Sequence, residues 1–402
     1  MRRPVNGGVD FGRPRARAYR IALLTNLILP YRIPVLQELE RKCKSLKVFI
    51  SNPTEGGGQG WNGVSVQIQK SLTWHSIWHH PQNFSERLSI QFPYDTIARL
   101  ANFNPDVVIS GELGLRTIQA ALFTGSSLRR KLIVWATLSE ATEQGRGLIR
   151  PIVRRALLTR ADAVLVNGES GARYIQRFGV EPAKVFRVPQ TTDVAPFLNR
   201  ASDRRLSIRH RLLYVGRLIE LKGLIPFLRR LAAWALKNPE RKVEFSLAGD
   251  GPMRSAIAEF VCPRNVSLTM LGNVPYDRLP EVYGNAGILV FPTLADEWGL
   301  VVVEAMAAGL PVLGSIYSQA VEDLITAGVT GWTFRPDHVN EMDAALNQAL
   351  GTEGSVLDAM GAKAHERARS MTPARMADQI WDAVKFTCGP RGTTAVRGTT
   401  AG

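Results

Sequence analysis

Short, almost wholly apolar runs recur along the chain, each closing on a polar or glycine-containing turn and each followed by a stretch with helical spacing of apolar residues. In the first half they read YRIALLTN, KVFIS, PDVVISG, RKLIVWA and ADAVLVN. Unbroken apolar runs of this length suit strands covered on both faces, as in a parallel sheet flanked by helices. The pattern restarts after the connector VPQTTDVAPFLNRASDRRLSI, with RLLYVGRL, KVEFSLAGDG, VSLTMLG, AGILVFPT and PVLGS. Strands alternating with helices, twice over, predict an α/β protein of two doubly wound, Rossmann-like domains facing across a cleft. The expected boundaries are a disordered basic arm over 1–18, a first domain over 19–195 and a linker over 196–208. A second domain follows over 209–372. The helix-like PARMADQIWDAVKF (373–386) could cross back to the first domain, and a disordered tail (387–402) contains RGTTA twice.

Size and composition agree with this picture. A chain of 402 residues, 45% hydrophobic and 21% charged, is globular and too long for one core. No run approaches the length of about 18 apolar residues that crosses a bilayer. The start, MRRPVNGGVDFGRPRARAYR, lacks the apolar stretch of a secretory signal. Cys43, Cys262 and Cys388 are widely spaced and odd in number, which fits reduced thiols in a cytoplasmic protein. The net charge of +15 is uneven. Residues 1–200 hold 28 Lys and Arg against 14 Asp and Glu, whereas the remainder is nearly balanced at 22 against 21. Nucleic acid, anionic lipid or a phosphorylated substrate would each suit such a first half, as would a merely solvated basic surface.

Three segments of the second half carry candidate chemistry. VGRLIELKG places Arg217 and Lys222 just after a strand, where a planar fork and a point charge can chelate a diphosphate; exposed surface cations give the same pattern. SLAGDGPMRSAI turns tightly at Gly249, Asp250 and Gly251, so Gly249 is architecture near the site. In ILVFPTLADEWGLVVVEAMAAGLPVLGS, propensity alone makes Val301–Val303 a strand. The surrounding EAMAAG, with Gly309 as C-cap and Pro311 as stop, instead predicts strand 288–291, loop 292–298 and a helix over about 299–308. Gly299 and Leu300 then present free amides at a helix start, suited to phosphate. Glu304, one turn on, can accept two hydrogen bonds from a ribose diol, and Asp296 can reach a sugar.

These residues resemble family 4 of the glycosyltransferases, the group 1 enzymes. That family is retaining, has the GT-B fold, and carries an E-x7-E signature followed by A-M-A-x-G-x-P-V. Here the signature stands as Asp296-EWGLVVV-Glu304 and then AMAAGLPV. VGRL…KG, AGDGP, LGNVPYDRLPEVYGNAGILVFPT and GVTGWTF extend the match over residues 209–345. The resemblance implies that Arg217 and Lys222 bind the diphosphate of a nucleotide sugar, the Gly299 and Leu300 amides its phosphate, and Glu304 its ribose. Asp296 stands where the family has a glutamate against the donor sugar; Glu297, beside it, could serve instead or be a solvated loop acid.

Breaking a sugar–diphosphate bond places negative charge on the leaving group, which the cations and the helix start would stabilise. No D-x-D occurs, so the expectation is a metal-independent clamp without cofactor. Retention, as the family implies, favours a same-face reaction in which the leaving phosphate helps deprotonate the acceptor. In the first half, TNLILPYRIPVLQELE resembles the family's opening loop and helix, with Thr25 and Asn26 facing the cleft. In QTTD, Gln190 to Asp193 replace the commoner N-x-x-D. Relatives often carry a histidine near 135–142; WATLSEAT has none, leaving Thr137 and Glu140 as acceptor-side candidates.

Two further stretches stand out. GRGLIRPIVRRALLTRAD sets Arg146, Arg150, Arg154, Arg155 and Arg160 among apolar residues, either for an anionic membrane or as the exposed face of a packed helix. LTWHSIWHHPQNF gathers Trp74, His75, Trp78, His79, His80 and Phe84; it reads as a partly buried cluster or an acceptor-contacting loop, with His75 and His79 as a two-ligand metal pair at most. The implied function is transfer of a sugar onto a glycan or lipid-linked acceptor, in the cytoplasm or peripherally on the inner membrane face. The alternatives are a GT-B UDP-amino-sugar epimerase and a basic nucleic-acid-binding protein. No helix-turn-helix, RNP or zinc pattern supports the latter.

Overall fold

The computed structural model describes residues 19–52, 61, 63–80, 85–147, 149–199 and 210–389. The expected arm (1–18), most of the linker and the repeated tail lie outside them, as does Phe84.

The first sheet contains β1 (Arg20–Thr25), β2 (Ser45–Ile50), β3 (Val66–Ile68), β6 (Val107–Gly111), β7 (Lys131–Ala136), β8 (Ala163–Val166) and β9 (Val185–Arg187). Between β3 and β6 the chain makes a separate two-stranded hairpin, β4 (Ser71–His79) and β5 (Ser85–Pro93). The second sheet contains β10 (Leu212–Val215), β11 (Val243–Ala248), β12 (Val266–Gly272), β13 (Ile288–Phe291), β14 (Val312–Ser315) and β15 (Gly331–Phe334). Both large sheets are parallel throughout. Their orders are β3-β2-β1-β6-β7-β8-β9 and β12-β11-β10-β13-β14-β15. In each, the chain builds outward on one side and then returns to build the other, so the order reverses between β1 and β6 and again between β10 and β13.

The unbroken apolar runs have the reason expected of them. Successive side chains of a strand point to opposite faces, and here both faces are covered. Ile21 and Leu23 enter one core cluster, Ala22 and Leu24 another. Leu212 and Tyr214 are likewise divided from Leu213 and Val215. The last helix, Pro373–Cys388, packs Met376, Ile380, Ala383 and Val384 into the cluster of β1 and β2, and Lys42 pairs with Asp378 at 2.6 Å. It thus returns to the first sheet, and it runs two residues past the boundary expected at 386. The expected linker also begins with order: Ala195–Leu198 is a short helix whose Phe197 is buried in the second domain's core.

The histidine-rich stretch is a strand, which corrects the metal-pair reading. Along β4, residues four apart lie roughly 13 Å apart. His75 and His79 instead meet Ser89 and Ser85 across the hairpin, at 3.3 and 2.7 Å. Among the described residues no group of three His, Cys, Asp or Glu side chains is placed to hold a metal ion, and no helix is long and apolar enough to cross a membrane.

Candidate functional site

Open parallel sheets bind ligands beyond the carboxyl ends of their strands, where the strand order reverses. Here both reversals open onto one cleft of about 580 Å³. The first sheet contributes Thr25 and Asn26 at the end of β1, Gly111 and Glu112 at the end of β6, and Trp135 and Thr137 at the end of β7. The second contributes Gly216 and Arg217 after β10, then Lys222, and the loop and helix start from Asp296 to Val301 after β13.

That loop and helix are the centre of the site. The helix spans Leu300–Ala307, so Val301–Val303 are helical despite their propensity, because burial in a helix-lined core outweighs it. Gly299 precedes it with φ 105°. A Cβ there would lie 2.7 Å from Ser318 Oγ and 2.8 Å from Phe291 Cε1, so only glycine allows the chain to enter the helix at this point. The first amides of the helix have no acceptor within it and border the cleft.

The two neighbouring acids differ sharply. Asp296 is committed to the protein: one oxygen pairs with the Lys222 ammonium and the other accepts the Trp298 amide at 3.0 Å. Glu297 extends into the cleft. Its backbone carbonyl is held by Asn167 Nδ2 at 3.0 Å and Gln319 Nε2 at 2.6 Å. Water still reaches its carboxyl, but both walls of the cleft crowd around it. That desolvation, with the negative charges of Asp296, Glu112 and Glu143 working against Arg32, pushes the carboxyl up to about 8.

Three expected site residues do not line the cleft. Glu304 faces the interior one turn down the helix, is 5% exposed, and accepts the Tyr283 hydroxyl at 2.9 Å. Burial pushes its carboxyl up to about 7, against the lowering effect of that hydrogen bond. Gly249 lies behind Gly216, whose carbonyl oxygen would be 1.9 Å from a Cβ there; its role is to let β10 and β11 turn closely together. Glu140 is turned away altogether. It pairs with Arg173 at 2.8 Å and with Arg177, and Arg173 continues to Glu322 of the second domain at 2.6 Å. Glu140 is a fastening between domains, so its expected acceptor role is withdrawn. Thr25, Asn26 and Thr137 do line the cleft.

Several residues missed in the sequence also meet here. Arg32 borders the cleft, with its guanidinium 5.2 Å from the Trp135 ring centroid. Glu112 holds a left-handed φ of 70°, a strained state for a residue with a side chain. Gln319 is buried and bridges the domains, donating to Leu138 O at 2.7 Å and to the Glu297 carbonyl while accepting the Gly171 amide at 2.8 Å. The one available signal was position: Glu112, like Thr137, follows a strand at its carboxyl end.

The arginine-rich stretch is divided by the fold. Arg154 is buried against Glu143 and Tyr174, Arg146 lies over Trp78 with its guanidinium 3.5 Å from the ring centroid, and Arg150 borders a second cavity beside the cleft. Only Arg155 and Arg160 remain on the exposed side.

Residues 209–352 match the family described as glycosyl transferases group 1. A D-inositol 3-phosphate glycosyltransferase of Nocardia farcinica is 27% identical over 251 residues, covering 58% of this chain and 54% of its own length. The sulfoquinovosyl transferase SQD2 of Arabidopsis thaliana is 25% identical over 285 residues, covering 65% and 53%. The chain thus spans about half the length of the curated relatives it matches. Among solved structures, Anabaena HepE in complex with UDP superposes with a TM-score of 0.69 at 15% identity, covering 91% of this chain and 99% of that one. A HepE complex with UDP-glucose gives 0.66 over the same shares. Those structures have the two-domain fold seen here, and it is the second domain that carries the match to the group 1 glycosyl transferases.

Proposed function

We propose that the chain transfers a sugar, with retention, from a nucleotide-sugar donor to a glycan or lipid-linked acceptor. The observation that carries this reading is the convergence of Arg217, Lys222 and the helix start at Gly299–Leu300 on the cleft between the two switch points. Those groups would hold the donor diphosphate and stabilise the charge that grows as the bond to the anomeric carbon breaks. The clamp would need no metal. Glu304, turned inward onto Tyr283 in this structure, would take the ribose, as in the family pattern, by swinging toward the cleft that Val301 of the same helix turn borders. Asp296 orients Lys222, and Glu297 is the acid that meets the sugar. With its carboxyl pushed up to about 8 it is mostly protonated at neutral pH, which suits it to donate a hydrogen bond rather than to act as a base. The acceptor proton would leave to the departing phosphate, as the new C–O bond forms on the face that the leaving group vacates.

HepE, the UDP- and UDP-glucose-bound structure, makes a uridine donor the first to try. Cell-envelope polysaccharide or glycolipid synthesis at the cytoplasmic membrane face is the setting we favour. Leu72, Trp74 and Ile77 of the hairpin and Ile152 are exposed apolar groups that would suit peripheral contact there. The test is calorimetric titration with a panel of nucleotide sugars, followed by slow hydrolysis in the absence of acceptor. Binding that Lys222→Ala and Glu304→Ala both weaken supports the reading. No binding across the panel, or unchanged affinity in both variants, overturns it. Release of a 2-epimerised amino sugar would mark the epimerase alternative.

A further inference from the structure

Beside the donor cleft lies a second cavity of about 420 Å³, within the usual size of a small-ligand site. It shares Asn26, Gly111, Glu112, Thr137 and Glu297 with the cleft, so the two are continuous through Glu297. Four arginines border it: Arg116, Arg146, Arg150 and Arg154.

The charges there do not cancel. Glu143 is spent on Arg154, with which it is buried. Glu112 is 3.8 Å from Arg116, a loose pairing. Arg146 and Arg150 have no carboxylate within ion-pair distance among the described residues. Arg146 is nonetheless fixed: its guanidinium lies over the Trp78 ring and its Nε donates to Thr142 O at 3.0 Å, leaving both Nη groups without a protein acceptor among the described residues. Arg116 is 4% exposed and donates to Ser51 Oγ at 2.9 Å, while its buried Nε has no partner. Burial lowers the affinity of Arg146 for its proton, and Arg150 and Arg154 add to that, so that the opposing pull of Glu143 and Glu297 does not make up the loss. Guanidinium groups that are held in place, crowded and uncompensated are arranged to be neutralised by a ligand. A carboxylate would satisfy one such fork; a phosphate, with more oxygens and up to two charges, can engage both.

We propose that this cavity is the acceptor subsite and that it takes an acceptor bearing a phosphate group, read by Arg146 and Arg150, with the hydroxyl to be glycosylated presented at Glu297. The inference rests on the glycosyltransferase reading for what happens at Glu297, but the anion site stands on its own residues. The phosphate can belong to a soluble sugar or polyol phosphate or to a lipid headgroup.

Full-length protein should be titrated calorimetrically with hexose 6-phosphate, inorganic phosphate, galacturonate and glucose, and separately floated with vesicles of phosphatidylglycerol or phosphatidylcholine. The expected result is binding of hexose 6-phosphate in preference to galacturonate and glucose. Arg150→Gln and Arg146→Gln should each weaken it about ten- to hundredfold, while Lys237→Gln, far from the cavity, leaves it unchanged. Arg150 is half-exposed and has no ion-pair partner among the described residues, so its variant keeps the fold even if the Arg146 variant does not. Binding confined to phosphatidylglycerol vesicles and weakened by Arg150→Gln assigns the phosphate to a lipid. Equal binding of glucose or galacturonate, or unchanged affinity in Arg150→Gln, overturns the proposal. UDP affinity, measured in parallel, should be the same in both arginine variants. A protein that binds hexose phosphate but no nucleotide would refute the donor reading and leave the anion site standing.

Discussion

Glu304 offers a stability measurement that reports on a binding role. Its carboxyl is buried against Tyr283 and pushed from 4.5 up to about 7, chiefly by desolvation. In the unfolded chain the same group loses its proton near its ordinary value. Between those two pH values the folded state therefore holds a proton that the unfolded state has released, and stability falls as pH rises. Below 4.5 both states are protonated and the penalty vanishes; above about 7 both are ionised and it is complete. At 1.36 kcal/mol per pKa unit the full penalty is about 3 kcal/mol. Glu304→Gln keeps an acceptor for the Tyr283 hydroxyl and removes the ionisation. The variant should match wild type in melting temperature near pH 4.5 and exceed it by roughly 5–10 °C at pH 8, on the usual scaling for a domain of this size. Taking the difference between the two proteins cancels every other titrating group. A difference that does not change with pH refutes the burial argument.

The same residue predicts the proton balance of donor binding. A ribose diol donating to Glu304 favours its ionised form, so UDP uptake at pH 7 should release about half a proton from a group half-protonated there. Calorimetry in two buffers of different ionisation enthalpy measures that release. Glu304→Gln should abolish it while weakening UDP binding. Tight binding without release would show that the ribose does not meet Glu304. A variant more stable at pH 8 and poorer in binding is the trade expected of a charge retained for function.

Three further outcomes follow from the site. Activity should fall as pH rises through about 8, because the protonated Glu297 carboxyl is the active form; Glu297→Gln should keep activity and lose that limb, and an unchanged limb would assign it elsewhere. Gly299→Ala forces a Cβ against Ser318 and Phe291 at a left-handed φ and should destabilise by about 1–3 kcal/mol, read from thermal melts, with donor affinity falling in parallel. EDTA should leave transfer largely intact, since the clamp is built from Arg217, Lys222 and backbone amides; full loss restored by Mn²⁺ would refute the metal-free clamp.

The sheet strands were legible because parallel strands covered on both faces leave unbroken apolar runs, and the helix from Leu300 was legible from its flanking glycine and proline. The hairpin was not. In LTWHSIWHH the tryptophans share one face of an isolated two-stranded ribbon while Ile77 lies with His75 and His79 on the other, so no apolar–polar alternation stands out, and its partner β5 lies beyond the turn. β3 and β9, three residues each, are too short to rise above their surroundings. At the site, motif spacing located the donor side, because a strand, a loop and a helix start are contiguous in sequence. The cavity arginines are not contiguous: Arg116 follows β6, whereas Arg146 and Arg150 follow β7, and only folding shows which cations lack partners. The same limit explains Glu140, whose pairing with Arg173 and Arg177 depends on the packing of a helix some thirty residues on.

Fastening the domains and placing the acid turn out to be one task. The Gln319 amide reaches Leu138 O of the first domain and the Glu297 carbonyl of the second, and its oxygen accepts the Gly171 amide. Asn167, also of the first domain, donates to that same Glu297 carbonyl. Any rotation of one domain against the other must lengthen one of these bonds, so the loop that carries Glu297 cannot stay fixed while the cleft opens. In the proposed transfer, cleft closure would thereby set the position of Glu297, and an opened cleft would hold that acid out of register. Gln319→Ala removes the shared tie and takes the donor from the buried Leu138 carbonyl and the acceptor from the Gly171 amide, while Asn167 still holds the Glu297 carbonyl; the loss costs about 1–3 kcal/mol. The split between constants is diagnostic. A tie that only joins the domains would change stability alone; a tie that positions Glu297 should lower kcat severalfold, with UDP affinity nearly unchanged because the diphosphate groups all belong to the second domain. Unchanged kcat in a destabilised Gln319→Ala protein would separate the fastening from the chemistry.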